Sequence, residues 1–314
     1  MTCYHPIPCY WHKFKKTKLG TPAITFNPLE SDPDLPEFAI PCGQCIGCRL
    51  DRSVDSAIRA HHESQLWEHN CFITLTYDNE HLPLYSSLMP PDLTKFWKRL
   101  RKRRPGERIR YMACGEYGTN YSRPHYHAIL FNCEFPDKSA FSRTQTGFIN
   151  YVSAELRDLW RFGFHTINNV SFETCAYVAR YVTKKITGGD DRLFYTHLDE
   201  ETGEYITRYK EFSRWSSKPG IGADYFRRYW RDFIHLDRCV VNGKKFPIPR
   251  YYDKLLSLEH PEEFAILKAK RLVNSEVYKL TPDAKRDRLA VREQVKALKA
   301  AQLLRPFEAA LKDY

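Results

Sequence analysis

Several features that would assign a protein to a class are missing from this chain. It has no run of 18 apolar residues, so a conventional membrane-spanning helix is not expected. It has no G-x-x-x-x-G-K-S/T phosphate-binding loop, so we expect no helicase domain. No internal repeat or low-complexity tract stands out. The first residues lack the basic-then-apolar pattern of a signal peptide, and we therefore expect the protein to be made and used in a cytoplasm.

An excess of basic residues is the first positive feature. The 314 residues include 49 Lys and Arg against 38 Asp and Glu, which gives a formal net charge of +11 and a pI of about 9.1. Such a balance favours a polyanionic partner, because binding to phosphates releases counterions, although a solvated basic surface would give the same count. Ten cysteines in a long chain without a secretion signal favour reduced thiols with one metal cluster over a disulfide scaffold.

Strand and helix patterns are mixed without a regular βαβ rhythm, and 42% of the residues are hydrophobic, which is enough for a sizeable core. We therefore predict an α+β fold, with a central antiparallel sheet flanked by helices and a helical C-terminal region. The expected regions are an N-terminal extension with a cysteine motif (1–48), a core (49–250) and a basic helical region (251–314), with residues 1–41 and 190–250 irregular. The predicted strands are 71–77, 110–117, 125–131 and 163–170, and the predicted helices are 49–69, 92–104, 154–160 and 171–187.

Two histidines on one predicted strand carry the sharpest chemical signal. His125 and His127 are two residues apart, so their side chains point to the same face of the strand. Glu116 lies near the end of the preceding predicted strand and can reach the same end of the sheet if the two strands pair. Two imidazoles and one carboxylate would form a three-ligand metal site, whose open positions can hold and polarise a phosphate oxygen.

The expected metal at this site is Mg²⁺ or Mn²⁺. Imidazole suits Mn²⁺ better than Mg²⁺, which prefers oxygen ligands, so we expect Mn²⁺ to bind more tightly and Mg²⁺ to serve by abundance. The competing interpretation of a His-x-His strand is a pair of half-buried, hydrogen-bonded histidines. A carboxylate partner such as Glu116 favours the metal site over that interpretation.

The predicted helix at 171–187 presents two phenols. Tyr177 and Tyr181 are four residues apart and Lys184 follows three residues later, so the three side chains lie within roughly 60° on the helix surface. Because a free tyrosine has a pKa of about 10, a nearby metal or cation must help it to ionise, and Lys184 could do this or neutralise an attacked phosphate. The competing interpretation is two aromatic residues that cover surface. The expected apolar face, opposite the tyrosines, consists of Cys175, Val178, Ala179, Val182 and Ile186.

A dense C-x₂-C-x₂-C motif is formed by Cys42, Cys45 and Cys48. Three thiolates at this density suggest Zn²⁺, which takes four ligands in a closed structural site. Cys3 is our choice for the fourth ligand, with Cys9 next, and a set of free thiols is the alternative. An iron–sulfur cluster is disfavoured, because no Cys-Pro follows at the expected spacing.

Basic side chains supply candidate DNA contacts. Arg123 lies beside the histidine pair, and Lys185 follows Lys184 at the end of the tyrosine helix. The densest basic run, at 98–104, could follow a DNA backbone, although such runs are common as solvated helix ends. The candidate residues of this run are Lys98, Arg101, Arg103 and Arg104.

These motifs together resemble those of the HUH endonucleases, which are named for a His–hydrophobic–His pair. Tyr126 is an aromatic variant at the hydrophobic position. The cysteine motif and the segment Lys218–Gly222 are similar to replication initiators of microviruses, in particular of the gokushovirus branch. The resemblance covers about residues 42–222 and does not extend to the final helical region. The three HUH motifs are residues 72–77, 123–127 and 177–185.

The resemblance implies an HUH endonuclease fold and a definite reaction. The ion would polarise the scissile phosphate of an origin sequence, and one tyrosine would attack it, become linked to the 5′-phosphate and leave a 3′-OH that primes rolling-circle synthesis. The second tyrosine would cut the regenerated origin, so that the strand is rejoined. We favour Tyr181 as the first nucleophile, because it lies three residues before Lys184, the commoner spacing of the motif. A host helicase and a host DNA polymerase would be partners, in the cytoplasm of a bacterial host cell.

Two other functions fit parts of the sequence. A zinc-stabilised, non-enzymatic DNA-binding protein would explain the charge and the cysteines, but it would leave Glu116, His125, His127 and the tyrosine pair without a role. Divalent-metal dependence of cleavage, rather than of binding, separates this function from that of a nickase. A transposase or plasmid relaxase of the same superfamily would share the chemistry and differ in its biology.

Overall fold

The fold class predicted from the sequence is confirmed. The structure, a computed structural model, is α+β, with an antiparallel sheet flanked by helices and further helices towards the C-terminal end. It describes residues 3–17, 20–118, 123–144, 147–184, 195–199 and 201–301.

The helices and strands are numbered in chain order. The strands are β1 (Ile7–Lys16), β2 (Pro22–Thr25), β3 (Phe38–Ile40), β4 (Asn70–Tyr77), β5 (Arg110–Tyr117), β6 (Pro124–Phe131), β7 (Ser139–Arg143), β8 (Ile149–Val152), β9 (Gly163–Asn169), β10 (Thr196–Leu198), β11 (Tyr205–Thr207), β12 (Phe212–Trp215), β13 (Cys239–Val241) and β14 (Lys244–Phe246). The helices are α1 (Ile46–Ser64), α2 (Pro90–Arg103), α3 (Ala154–Leu159), α4 (Phe172–Lys184), α5 (Ala223–Leu236), α6 (Arg250–Glu259), α7 (Pro261–Lys279) and α8 (Arg286–Ala301).

The central sheet has the strand order β12-β5-β6-β4-β9-β8-β7, and every residue of β6 is buried. Alternate residues of β6 enter two different cores, because side chains of a strand point in turn to opposite faces. Tyr126 and Leu130 pack with α2 and α3, whereas Ile129 packs on the other face with α1 and α4. His125 and His127 therefore lie on the face that α1 and α4 cover.

The prediction that residues 1–41 are irregular was wrong. β1 pairs with β2 and β3 in a small antiparallel sheet of order β2-β1-β3. Only two of the ten residues of β1 are buried, so the apolar alternation that would have predicted a strand is missing. Pairing between backbones, which the local pattern does not encode, defines these strands instead.

The described part of residues 190–250 is also more regular than we predicted. β12 joins the edge of the central sheet beside β5, and α5 packs Phe226 and Phe233 into a core with α6. Helix boundaries moved as well, since α1 begins at Ile46 and ends at Ser64 rather than spanning 49–69.

A buried ion pair fastens the glycine-rich turn at Lys218–Gly222. Arg110 Nε donates to Glu63 Oε1 at 2.6 Å, and Glu63 Oε2 accepts a hydrogen bond from the Gly222 backbone N–H at 2.7 Å. Gly222 has a φ of +82°, and a Cβ at this position would lie 2.4 Å from the Tyr252 hydroxyl, so a larger residue does not fit. The motif is explained by the packing of α1, β5 and α6 around this turn.

The chain forms two compact units. Unit 1 comprises Met1–Arg52 and Leu272–Leu303, and unit 2 comprises Ser53–Arg271 and Leu304–Tyr314. The small sheet and α8 belong to unit 1, whereas the central sheet and its two cores belong to unit 2. None of the helices in the described ranges combines the length and the apolar character needed to cross a membrane.

Candidate metal centre and tyrosine helix

The predicted site residues meet on three adjacent strands of unit 2. β5 pairs with β6 so that Glu116 lies opposite His125. β4 flanks β6 on the other side, with Thr76 opposite His125 and Thr74 opposite His127. Because residues in register on antiparallel strands point to the same face, these five side chains share the face of the sheet that α1 and α4 cover.

Each imidazole is held by a threonine of β4. Thr74 Oγ1 lies 3.0 Å from His127 Nδ1, and Thr76 Oγ1 lies 2.9 Å from His125 Nδ1. These hydrogen bonds fix the orientation of both rings. A threonine oxygen that accepts the Nδ1 proton leaves the lone pair of Nε2 for a metal ion.

The carboxylate lies beside the second imidazole. Glu116 Oε1 is 2.8 Å from His127 Nε2, and the ring centroids of the two histidines are 6.4 Å apart. Glu116, His125 and His127 are 3%, 7% and 1% exposed. A Cβ at Gly118 would come within 2.9 Å of His125 Nε2, so a glycine at this position keeps that nitrogen accessible.

The electrostatics of the site suit a cation. Burial, together with the neighbouring His127, lowers the pKa of His125 to about 4, so this imidazole is neutral at pH 7. Neutral imidazole is the form that binds a metal ion. Two imidazoles and a buried carboxylate therefore fit Mn²⁺ or Mg²⁺ and leave coordination positions for a substrate.

Tyr177 lies against this site and not on an outer face of its helix. Its side chain is 1% exposed, and its ring meets His127 edge-on with the ring centroids 5.2 Å apart and Phe72 with centroids 6.0 Å apart. The prediction that Tyr177 lies opposite an apolar face was wrong, because Val178 and Ala179 are buried together with it. Helix α4 is enclosed on several sides by the sheet and α1, so its periodicity alone did not reveal which face meets the site.

The remainder of the tyrosine motif is described only in part. Tyr181 and Lys184 lie within α4, with Tyr181 one turn after Tyr177. The side chains of Tyr181 and Lys184, and all of Lys185, lie outside the described residues.

Two arginines predicted to contact DNA have partners within the protein. Arg104 forms a two-pronged ion pair with Glu155, with Nε–Oε1 and Nη2–Oε2 distances of 3.1 and 2.8 Å. Arg123 donates to the Tyr77 carbonyl oxygen at 2.8 Å and to Asn79 Oδ1 at 2.6 Å. Arg123 therefore fastens the loop that follows β4, next to the metal centre.

The other basic candidates lie exposed along α2. Lys98, Arg101 and Arg103 face solvent, with Arg103 3.8 Å from a carboxylate oxygen of Asp158. Lys98 also lines an open groove with Lys95, Tyr209 and Arg214. Cations interleaved with an aromatic ring are a surface that suits a single nucleic-acid strand.

The four predicted cysteine ligands come together in unit 1. The Sγ atoms of Cys3, Cys42, Cys45 and Cys48 all lie within 4.8 Å of one another. Cys9, the other residue considered as a fourth ligand, is buried on β1 and is not a member of this group.

Sequence reasoning did not identify the threonines as partners of the imidazoles. Thr74 and Thr76 were recognised only as part of the first HUH motif. The signal that would have found them is their spacing, which equals the two-residue spacing of His125 and His127. Two such pairs on neighbouring antiparallel strands can meet one to one.

Comparisons with known proteins agree with this arrangement. A family model for the replication-associated protein ORF2 matches residues 70–186, a segment that contains β4 and α4 and the strands between them. The chain is also 34% identical over 281 residues to replication-associated protein VP4 of Bdellovibrio phage phiMH2K, which covers 86% of this chain and 82% of the relative. The chain belongs to this family of phage replication-associated proteins.

Two further relatives extend the family. Replication-associated protein ORF2 of Spiroplasma virus 4 is 36% identical over 248 residues, 74% of this chain and 73% of the relative. Replication-associated protein ORF4 of Chlamydia phage 1 is 33% identical over 227 residues, 70% of this chain and 54% of the relative. The predicted resemblance to microvirus replication proteins is therefore confirmed. No solved structure matches the chain.

Proposed function

We propose that this replication-associated protein is an endonuclease that nicks a replication origin with a tyrosine nucleophile and a divalent cation. The observation that carries the proposal is the contact of Tyr177 with His127, which itself lies 2.8 Å from Glu116. A phenol, two imidazoles and a carboxylate thus share one face of the sheet. Membership of a family of phage replication-associated proteins supports a role at an origin of replication.

In this proposal Glu116, His125 and His127 hold Mg²⁺ or Mn²⁺. The bound ion would supply a Lewis acid that polarises an oxygen of the scissile phosphate. The protein orients the donors, since Thr74 and Thr76 fix the two rings. Burial keeps bulk water away from the ligands and keeps His125 neutral at pH 7.

The nicking step exchanges one phosphodiester bond for another. The phenol oxygen of a tyrosine attacks the scissile phosphorus and loses its proton. The bond from phosphorus to the 3′-oxygen breaks as the bond to tyrosine forms, so the 5′-phosphate stays on the protein. The 3′-oxygen takes up a proton and becomes the 3′-OH that primes rolling-circle synthesis. Because the covalent link conserves the phosphodiester, the reverse step rejoins DNA without ATP.

Two tyrosines suit two successive cuts. We assign the first cut to Tyr181 and the cut at the regenerated origin to Tyr177, one helical turn away. The displaced strand is then transferred and closed. A host helicase separates the strands and a host polymerase extends the 3′-OH, because the chain contains no nucleotide-binding phosphate loop of its own.

Exposed cations would hold the DNA near this site. Lys98, Arg101 and Arg103 on α2 have the exposure that backbone contacts need, whereas Arg104 is occupied by Glu155. We assign backbone contacts to the first three and to Lys185, and we assign to Arg123 the positioning of the loop after β4.

The test is the formation of a covalent protein–DNA adduct. A labelled single-stranded origin oligonucleotide is incubated with the protein and Mn²⁺ or EDTA, and the mixture is run on a denaturing protein gel. We expect a metal-dependent shifted band that the Tyr177→Phe/Tyr181→Phe double variant does not form. Tyr177→Phe alone should nick but not transfer the strand. Tyr205→Phe, a matched change at an exposed tyrosine of β11, should leave the band unchanged.

Three outcomes would change the proposal. An adduct formed by the double variant would contradict the tyrosine assignment. Metal-dependent cleavage without an adduct would make water the nucleophile. Tight, salt-sensitive binding without cleavage of any candidate origin would favour a non-enzymatic DNA-binding protein.

A further inference from the structure

Unit 1 has very little apolar core. Among its described residues, the buried hydrophobic side chains are Tyr4, Cys9, Cys45 and Cys48. Three of these four are cysteines, and the cluster around them contains only partly buried neighbours such as Leu289 of α8. A small unit that cannot bury a sizeable apolar surface usually depends on a disulfide or a metal ion for its stability.

The cysteines of this cluster are arranged as ligands of one ion. The Sγ atoms of Cys3, Cys42, Cys45 and Cys48 lie within 4.8 Å of one another, and none of the four forms a disulfide. A tetrahedral zinc site with Zn–S bonds of about 2.3 Å needs S–S separations of roughly 3.8 Å. A contraction of about 1 Å or less would therefore bring the four sulfur atoms to the required geometry.

Backbone N–H groups already point at three of the four sulfur atoms. Cys42 N lies 3.3 Å from Cys3 Sγ, and Cys45 N lies 3.3 Å from Cys42 Sγ. Cys45 Sγ accepts from two backbone donors, Cys48 N at 3.5 Å and Tyr4 N at 3.4 Å. Hydrogen bonds from N–H groups favour the thiolate, which is the form of cysteine that binds a metal ion.

The chain is shaped locally to produce this arrangement. Gly43, with a φ of +75°, turns the backbone between Cys42 and Cys45. Cys48 lies in the first turn of α1, where the positive end of the helix dipole favours anionic sulfur. Arg52 Nη2 donates to the Gly43 carbonyl oxygen at 3.1 Å and brings a positive charge close to the turn.

We propose that Cys3, Cys42, Cys45 and Cys48 bind one structural Zn²⁺ and that this ion stabilises unit 1. Four thiolates close the coordination sphere, so the site has no position for a substrate and is not catalytic. Zn²⁺ is favoured over oxygen-seeking cations because thiolate is a soft ligand. The ion joins the start of the chain to the beginning of α1, which gives unit 1 the crosslink that its few buried side chains do not provide.

The first experiment is metal analysis of the full chain purified without chelator. We expect about one zinc ion per chain, lost in Cys45→Ser and in Cys48→Ser. Cys9→Ser is the matched control, because Cys9 is a buried cysteine of the same unit outside the cluster, and it should keep its zinc. Absence of zinc, iron in its place, or zinc retained in both cluster variants would overturn the proposal.

A second experiment uses the unmodified chain, so that it does not depend on variants that fold. Zinc is exchanged for Co²⁺, and we expect the absorption of thiolate-to-cobalt charge transfer together with the visible bands of a tetrahedral ion. Removal of the metal with a strong chelator should expose residues 3–52 to limited proteolysis, while the central sheet of unit 2 stays resistant. An octahedral cobalt spectrum, or a non-reduced mass that shows disulfides among the four cysteines, would contradict a zinc site.

Discussion

The two ligand clusters of this chain are built in opposite ways. Glu116, His125 and His127 lie on two paired strands, and the register of β5 and β6 brings them together within a well-packed sheet. The cysteine cluster instead joins Cys3 to a motif at 42–48, in a unit with few buried apolar side chains. Packing and backbone pairing organise the first cluster, whereas the second cluster needs its own ion to complete the unit.

The difference in donors leads to a difference in exchange. Three donors of mixed nitrogen and oxygen type leave positions for water and phosphate, so we expect that ion to exchange readily. Four thiolates form a closed shell around a soft ion, so we expect that ion to be retained. A fold that preorganises its ligands can release its metal, and a unit that relies on its metal cannot do so without opening.

The largest expected effect is the complete loss of cleavage on brief treatment with EDTA. The histidine site should lose its ion within the treatment, and added Mn²⁺ should restore cleavage in full. The zinc content of the same sample, measured after the EDTA is removed, should be unchanged. Loss of zinc in parallel with activity, or cleavage that persists in EDTA, would remove the distinction between the two clusters.

A substitution in the carboxylate should reproduce this loss without a change in fold. In Glu116→Gln the side chain keeps its size but loses its charge, and we expect the cleavage rate to fall by roughly a thousandfold, which corresponds to about 4 kcal/mol of lost stabilisation. The thermal midpoint and the zinc content should stay the same. Glu173→Gln, at an exposed position of α4, is the matched control and should cleave as the unmodified chain does. Cleavage by Glu116→Gln within a few-fold of that control would rule out this residue as a ligand.

The sequence predicted the catalytic sheet better than it predicted unit 1, for physical reasons. Strands such as β6 are long and continuously apolar, and residues at i and i+2 share a face whatever the rest of the fold is. His125 and His127 could therefore be assigned to one face from spacing alone. The strands of unit 1 bury few residues, so their positions depend on pairing between distant segments, which spacing does not reveal.

The side chains that complete the site were harder to predict than its ligands. The orientation of Tyr177 depends on which sides of α4 are covered, and α4 proved to be enclosed by both the sheet and α1. Thr74 and Thr76 become partners of the imidazoles only through the register of β4 with β6. Both facts arise from tertiary packing, to which a pattern along one segment is insensitive.

Loss of one threonine hydroxyl should have a smaller effect than loss of a ligand. Thr74→Val keeps the shape of the side chain and removes the oxygen 3.0 Å from His127 Nδ1. Partners that orient a ligand are typically worth about 10- to 100-fold in metal affinity, so the Mn²⁺ concentration for half-maximal cleavage should rise by that factor. Cleavage at saturating Mn²⁺ should fall much less. Thr207→Val, on the exposed strand β11, should leave the Mn²⁺ dependence unchanged, and equal dependence in both variants would deny Thr74 a positioning role.

The smallest expected effect separates the two units by their response to acid. Burial, with the neighbouring His61, lowers the pKa of His62 in unit 2 to about 3, and His62 Nδ1 lies 3.1 Å from the Tyr252 hydroxyl. Because the pKa in the unfolded chain is about 6.5, the unfolded state binds more protons below that pH. The stabilisation is therefore fully present above pH 6.5 and is lost as the pH falls towards 3, by up to about 1.4 kcal/mol per pH unit.

Tryptophan fluorescence can follow this loss in unit 2 even though acid also protonates the zinc-binding thiolates of unit 1. Of the six tryptophans, only Trp11 lies in unit 1, so urea unfolding monitored by fluorescence reports mainly on unit 2. The free energy of unfolding of His62→Gln should be lower at neutral pH, through lost packing, but should depend less steeply on pH between 6.5 and 4. The exposed His235→Gln should keep the slope of the unmodified chain. Equal slopes for His62→Gln and the unmodified chain would mean that acid destabilises unit 2 through other groups, and the contrast between the two units would then rest on their metal ions alone.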